Sequence, residues 1–172
     1  HMDFATLQSL PGPLYTITLL REPKARILSL YYFWRSHSEE TIETLDLAGP
    51  RMARQMGLLE FLQATRNNIQ GSINNVYTRN LLGHNWTGPR GQLLLNDGEA
   101  LRGAMRNLLC SDTVGFVEDM PALFSEVTQR LGVAMPDELP WARRAQDFGK
   151  AKGSEPVARE EITPEIDARL DH

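Results

Sequence analysis

Arg21, Arg26 and Ser29 are the residues whose types and spacing suit chemistry, and that chemistry is the holding of an anion. They follow the apolar run Leu14–Leu20 within the string TITLLREPKARILSLYYFW. A guanidinium presents a planar fork of donors that matches phosphate oxygens, and a serine hydroxyl adds one more. A helix start just behind them brings its dipole and free N–H groups. An arginine leaving the C-terminal end of a parallel strand also lies where open α/β sheets bind their ligands. Together these features describe a cradle for a phosphate dianion. The same residues also suit a corner with no ligand, with Arg26 in solvent and Ser29 packed on a neighbouring helix, and on spacing alone that is the simpler reading.

The elements that must position these residues are legible in outline. LYTITLL is short, apolar, rich in β-branched and aromatic residues and preceded by Pro-Gly-Pro. That pattern predicts a buried strand in a parallel sheet covered on both faces, which requires helical crossovers. Pro23 suits the first turn of a helix running to about Ser36. Ile27, Leu30, Tyr31 and Trp34 share one side of it, and Glu22, Arg26, Ser29 and Phe33 another. The acidic segment Ser38–Asp46 reads as a solvated face. A Gly-Pro break at Gly49-Pro50 is expected to precede a second helix, about Arg51 to Thr65.

A third helix is expected over Ile73–Leu82, closed by Gly83 in the left-handed conformation. A Gly- and Asn-rich loop follows. Asn96 or Asp97 can cap a fourth helix to about Leu109, with Leu101, Met105, Leu108 and Leu109 as its core stripe and Cys110 inside that helical stripe. TVGFVED predicts a second strand, and MPALFSEVTQRLGV a helix with Leu123, Phe124, Val127 and Leu131 facing inward. Pro136–Ser154 reads as irregular, and a last helix begins after Thr163.

Bulk properties bound the partners. The 172 residues fit one domain, taken as residues 3–172 after a cloning remnant at His1-Met2. A net charge of −4 creates no global basic field for nucleic acid or anionic lipid. No run reaches the length of a membrane span and no signal-peptide pattern opens the chain, so a cytoplasmic location is expected, or the Golgi lumen if the source is eukaryotic. The lone Cys110 and the scattered histidines offer no metal set, and none is expected.

The segment Thr16–Trp34 resembles the 3′-phosphate-binding segment of sulfotransferases: a strand, Arg-Asp/Glu-Pro, then Arg, Ser and an aromatic residue. Arg21, Glu22, Pro23, Arg26, Ser29 and Tyr31 match it in order. NNVYTRNLLG, Asn74–Gly83, is similar to the Asn-x-x-Thr-Arg-x-Leu-x-Gly segment of Golgi-type and related bacterial members. VGFVEDMPALFSEVTQRLGV is similar to their later strand, glutamate and amphipathic helix. The three matches span about Leu14 to Val133, and ITPEIDARLDH fits the family's C-terminal helix less specifically.

The resemblance implies a helix-dominated α/β fold related to P-loop nucleotide kinases, with a parallel sheet. It implies 3′-phosphoadenosine 5′-phosphosulfate as donor and in-line transfer of its sulfuryl group to a hydroxyl or amine acceptor. Arg21 and Ser29, with Arg26, would hold the 3′-phosphate. The family's phosphosulfate loop, a Gly- and Lys/Arg-bearing turn after the first strand, has no counterpart in DFATLQSLPGP, Asp3–Pro13. The expectation is therefore a chain lacking the first βα unit, with exposed sheet edge that invites self-association or element swapping. The competing reading is a sulfotransferase-like domain that binds or docks without catalysis. No catalytic base is assigned: His84, in the Gly83-His84 pair, and His37 read as surface histidines, and Lys150–Glu155 (KAKGSE) reads as a linker before it reads as a phosphate loop.

Overall fold

The computed structural model of the chain describes residues 9–65, 67–83, 95–138 and 153–171. In chain order the described elements are β1 (Ile17–Leu20), α1 (Pro23–Arg35), α2 (Glu39–Thr44), α3 (Ala48–Gln55), α4 (Leu58–Gln63), α5 (Asn67–Ile73), α6 (Val76–Leu82), α7 (Asp97–Leu109), β2 (Thr113–Phe116), α8 (Met120–Leu131) and α9 (Pro164–Leu170), with a 3₁₀ turn at Val117–Asp119. They form two compact units. One comprises His1–Arg21 with Gly71–Glu138, the other Glu22–Gln70 with Leu139–His172. Among the described residues no helix is long and apolar enough to cross a membrane.

The first unit is organised by its sheet. β1 and β2 pair in parallel, Ile17 opposite Thr113 and Leu20 opposite Phe116, giving a helix-rich α/β structure with a small two-stranded sheet. Register is set where the ladder begins. Asp112 accepts from the Thr16 N–H at 2.7 Å and the Thr16 hydroxyl at 2.8 Å, and the Asp112 N–H donates back to that hydroxyl at 3.1 Å. The Thr113 N–H then donates to the Thr16 carbonyl at 3.1 Å. These bonds favour the ionised carboxylate and hold the Asp112 pKa below the ordinary carboxylate value, with a smaller contribution from the Arg130 charge.

A polar chain then fastens α8 to the sheet. Thr113 is buried, and its hydroxyl donates to Glu126 at 2.8 Å while accepting from the Tyr15 hydroxyl at 2.5 Å. Arg130 pairs with Glu126 at 3.3 Å and lies over the Tyr15 ring. Gly115 lets the helix approach: a Cβ there would meet Leu123 Cδ1 at 2.7 Å and Cγ at 2.9 Å. β1 departs from the expected double burial, since Ile17 and Leu19 are 46% and 44% exposed. The reason is that α8 packs on β2, and no third strand covers the β1 edge among the described residues.

Asn96 caps α7 as expected, accepting from the Glu99 N–H at 2.9 Å. The expected core stripe is corrected. Leu101, Met105 and Leu109 are exposed, the last by 80%, Leu108 is half-buried, and the buried residues are Ala100 and Ala104. α6 packs closely on that small-residue face, with Leu82 Cδ2 where a Cβ on Gly103 would fall and Asn107 donating to the Leu81 carbonyl at 2.7 Å. A narrow stripe wins because backbone approach, not side-chain bulk, sets the contact. Cys110, expected inside the stripe, is instead the exposed C-cap of α7. On α8, Leu123 is buried, Phe124 and Val127 are half-buried, and Leu131 is exposed, a second correction.

The expected helix from Ile73 is two helices, α5 and α6, divided at Asn74-Asn75. Asn75 takes φ 48°, a left-handed conformation that asparagine tolerates better than most residues. Gly83 follows α6 with positive φ but extended ψ, 83° and 176°, so it ends the helix without the left-handed cap expected of it.

In the second unit α1 runs as expected. The acidic stretch contains α2, whose N-cap Ser38 accepts from the Thr41 N–H, and Ile42 within it is fully buried. The expected break at Gly49-Pro50 lies inside α3. Pro50 occupies the first turn, where its missing N–H is not needed, and the interruption falls at Met56-Gly57 instead. The core is aromatic: the Tyr31 and Phe61 rings lie 5.0 Å apart, and Trp34 stands edge-on to Phe61 at 5.9 Å. α9 begins at a Thr163 cap as predicted and buries Ile166 and Leu170.

Two outcomes follow. Gly115→Ala should lower stability by roughly 1–3 kcal/mol, because Leu123 must leave its rotamer or α8 must move. Urea denaturation should show that cost shrinking in the Leu123→Ala background, since the clash partner is gone. Asp112→Asn should be less stable than wild type near neutral pH. Because the folded-state pKa is depressed, that contribution is present above the ordinary aspartate pKa and is lost as pH falls through the folded value. Thermal unfolding from about pH 6 to about pH 2 should therefore show the two proteins converging toward the acid end.

Candidate functional site

The C-terminal ends of two parallel strands lie side by side, and a charged residue follows each within two positions. Arg21 follows β1, and Glu118 lies in the turn that follows β2. The Arg21 Nε lies 3.9 Å from Glu118 Oε1, too long for a hydrogen bond, with the arginine side chain 35% exposed. That Nε is itself buried and has no hydrogen-bond partner. A buried donor without an acceptor costs free energy, so a site that later supplies an acceptor recovers it.

The Arg21 backbone is held by a residue from the second motif. Because the Thr113 N–H donates to the Thr16 carbonyl, Thr16, Thr18 and Leu20 turn their backbone groups toward β2. Ile17, Leu19 and Arg21 turn theirs toward the open edge. There the Tyr77 hydroxyl accepts from the Arg21 N–H at 2.9 Å and donates to the Arg21 carbonyl at 3.1 Å. The three segments REP, NNVYTRNLLG and VGFVED thus meet at one residue, with Arg21, Tyr77 and Glu118 as their points of meeting. Arg79, from the same segment as Tyr77, donates to the Gly71 carbonyl, and burial lowers its pKa.

Arg26 and Ser29 belong to the second unit. They are three residues apart on α1, hence neighbours on its surface, and both are half-buried. The helix start does not offer the free N–H groups expected of it. Glu22 is the N-cap, and its carboxylate accepts from the Lys24 N–H at 3.0 Å and the Ala25 N–H at 2.6 Å. Any anion approaching there meets a carboxylate already in place, which leaves side chains, not the helix terminus, to bind it. Lys24, whose charge near a helix N-terminus opposes the dipole, pairs with Asp167 at 2.8 Å and Asp171 at 2.9 Å, and both bonds raise its pKa.

The remaining candidates have structural surroundings. Tyr31, Tyr32 and Trp34 pack in the second unit's core. His37 turns Nδ1 to the Phe33 and Trp34 carbonyls, at 3.0 and 3.2 Å. Of KAKGSE, Gly153–Glu155 is tied to the Ser36–Ser38 corner: the Gly153 carbonyl accepts from the Ser38 N–H, and the Glu155 N–H donates to the Ser36 carbonyl. His84 and residues 150–152 lie outside the described residues.

Sequence reasoning placed Tyr77 and Glu118 inside motif segments without giving either a role. No local pattern announces a tyrosine bonded to the backbone of a residue 56 positions earlier. Glu22 was read as a motif letter and not as a cap, because Ser, Thr, Asp and Asn dominate that position. No family model, curated protein or solved structure matches the chain.

Glu22→Ala should remove both capping bonds and lower the stability of the chain by about 1 kcal/mol, read from the urea midpoint at constant slope.

Proposed function

We propose that the chain is a sulfotransferase-type protein of the P-loop-like α/β class. It binds 3′-phosphoadenosine 5′-phosphosulfate and passes the sulfuryl group to a hydroxyl or amine acceptor. The observation that carries this reading is the meeting of the three motif segments at Arg21, at the C-terminal end of a parallel strand, with a buried Nε that lacks an acceptor. A phosphate oxygen supplies such an acceptor. In the reading, Arg21 grips the 3′-phosphate, and Ser29 and Arg26 are assigned to it by their places in the motif. In the transfer the sulfur–oxygen bond to the 5′-phosphate breaks and a bond from sulfur to the acceptor oxygen or nitrogen forms. The acceptor proton passes to a base, and 3′-phosphoadenosine 5′-phosphate leaves. A grip on the 3′-phosphate makes no bond itself; it orients the donor for in-line attack.

Titration calorimetry with 3′-phosphoadenosine 5′-phosphate tests the reading. Wild type should bind, and Arg21→Ala should lose about 2 to 4 kcal/mol of binding, because a charged contact to a dianion is removed. Equal binding by both proteins, or none by a folded wild type, sinks it.

A further inference from the structure

We propose that Tyr77 is the positioning residue of the anion site, fixing the backbone from which the Arg21 side chain departs. The inference rests on the reading of Arg21 as the 3′-phosphate ligand. Arg21 is the first residue beyond the paired ladder, where Leu20 and Phe116 form the last register pair. Its backbone groups face the edge of β1 that no strand covers among the described residues. Nothing in the sheet therefore fixes its φ and ψ. A single hydroxyl does so: Tyr77 Oη takes the Arg21 N–H and returns its own proton to the Arg21 carbonyl, much as a neighbouring strand holds one residue by both groups.

The consequence lies at the far end of the side chain. A guanidinium stands several bonds from its Cα, so a modest turn of the backbone moves it by more than the tolerance of a bidentate contact. Arg21 has little else to hold it. Its approach to Glu118 is 3.9 Å, and its Nε has no hydrogen-bond partner. Tyr77→Phe keeps the ring and its packing and deletes both bonds at once.

A tyrosine that merely tied α6 to β1 would affect every ligand alike or none, so the decisive readout is discrimination. Affinities of wild type and Tyr77→Phe are measured for 3′-phosphoadenosine 5′-phosphate and for adenosine 5′-phosphate, which lacks only the 3′-phosphate. Wild type should prefer the former, and Tyr77→Phe should lose about tenfold of that preference, the size expected for two neutral hydrogen bonds. Binding of adenosine 5′-phosphate should stay as it was. A variant that keeps the wild-type preference, or weakens for both nucleotides equally, overturns the role of Tyr77 and leaves the reading of Arg21 standing. A wild type with no preference overturns that reading and this inference together. Should the variant not fold, amide hydrogen exchange of the wild type decides: the Arg21 amide should exchange more slowly than those of Ile17 and Leu19 on the same edge, and equal rates refute the hold.

Discussion

The parallel pairing of β1 with β2 is the constraint on which the candidate site depends. It joins segments almost a hundred residues apart, and nothing local would bring Arg21 and Glu118 to the same end without it. A two-stranded parallel sheet is a weak object by itself, because its ladder is short and its connections cost loop entropy. Side chains make up the difference. The reciprocal bonds between Thr16 and Asp112 fix the first rung, the Thr18 and Ser111 hydroxyls meet at 2.7 Å, and the buried Thr113 links Tyr15 to Glu126 on α8. A one-residue slip would break all of these and move Gly115 away from Leu123, so register is specified by polar groups where apolar alternation is weak.

The second unit solves a different problem, the closure of helices around aromatic rings. Its polar centre is Glu160. The carboxylate accepts from the Tyr31 hydroxyl at 2.5 Å, from Arg35 at 3.1 Å and from the Leu58 N–H at 2.9 Å, while the Glu160 N–H donates to the Tyr32 hydroxyl at 2.9 Å. One residue of an irregular segment thereby satisfies α1 and the start of α4 together. Burial raises the Tyr31 pKa, and the bond to Glu160 adds to the rise. The phenol stays protonated and remains a donor. Arg54 plays a parallel part, donating to the His37 carbonyl at 2.6 Å and pairing with Glu155 at 2.8 Å. Both arrangements put chain without secondary structure under the control of helices.

What was legible in the sequence follows physical lines. Both strands and their parallel relation could be read from short β-branched runs separated by helical pattern, α1, α7 and α9 from their capping or proline signals, and α8 from its apolar stripe. Helix interruptions were missed at Met56-Gly57 and at Asn74-Asn75, where periodicity runs on across the break and the backbone turns on one residue. Bulk is a poor sign of the core on α7, where the large side chains Leu101, Met105 and Leu109 are exposed. Ala100, Gly103 and Ala104 are buried by close approach, and only the partner helix reveals that. In the candidate site the arginine was legible from motif and position. Its surroundings were not, since Tyr77 and Glu118 reach it only through the fold.

Those surroundings bear on the kind of ligand that suits Arg21 in the proposed reading. Arg21 already faces one carboxylate, Glu118, and the next residue, Glu22, spends its own carboxylate on the N–H groups of α1. An anion arriving at Arg21 competes with that carboxylate, and the pair it loosens is half-exposed and weak in water. A dianion is drawn twice as strongly to the guanidinium but is also repelled twice as strongly by Glu118, so charge alone gives it no advantage while that carboxylate stays in place. In the proposed reading Glu118 must therefore turn aside for Arg21 to hold a terminal phosphate, and the length and exposure of the pair make that displacement a small cost.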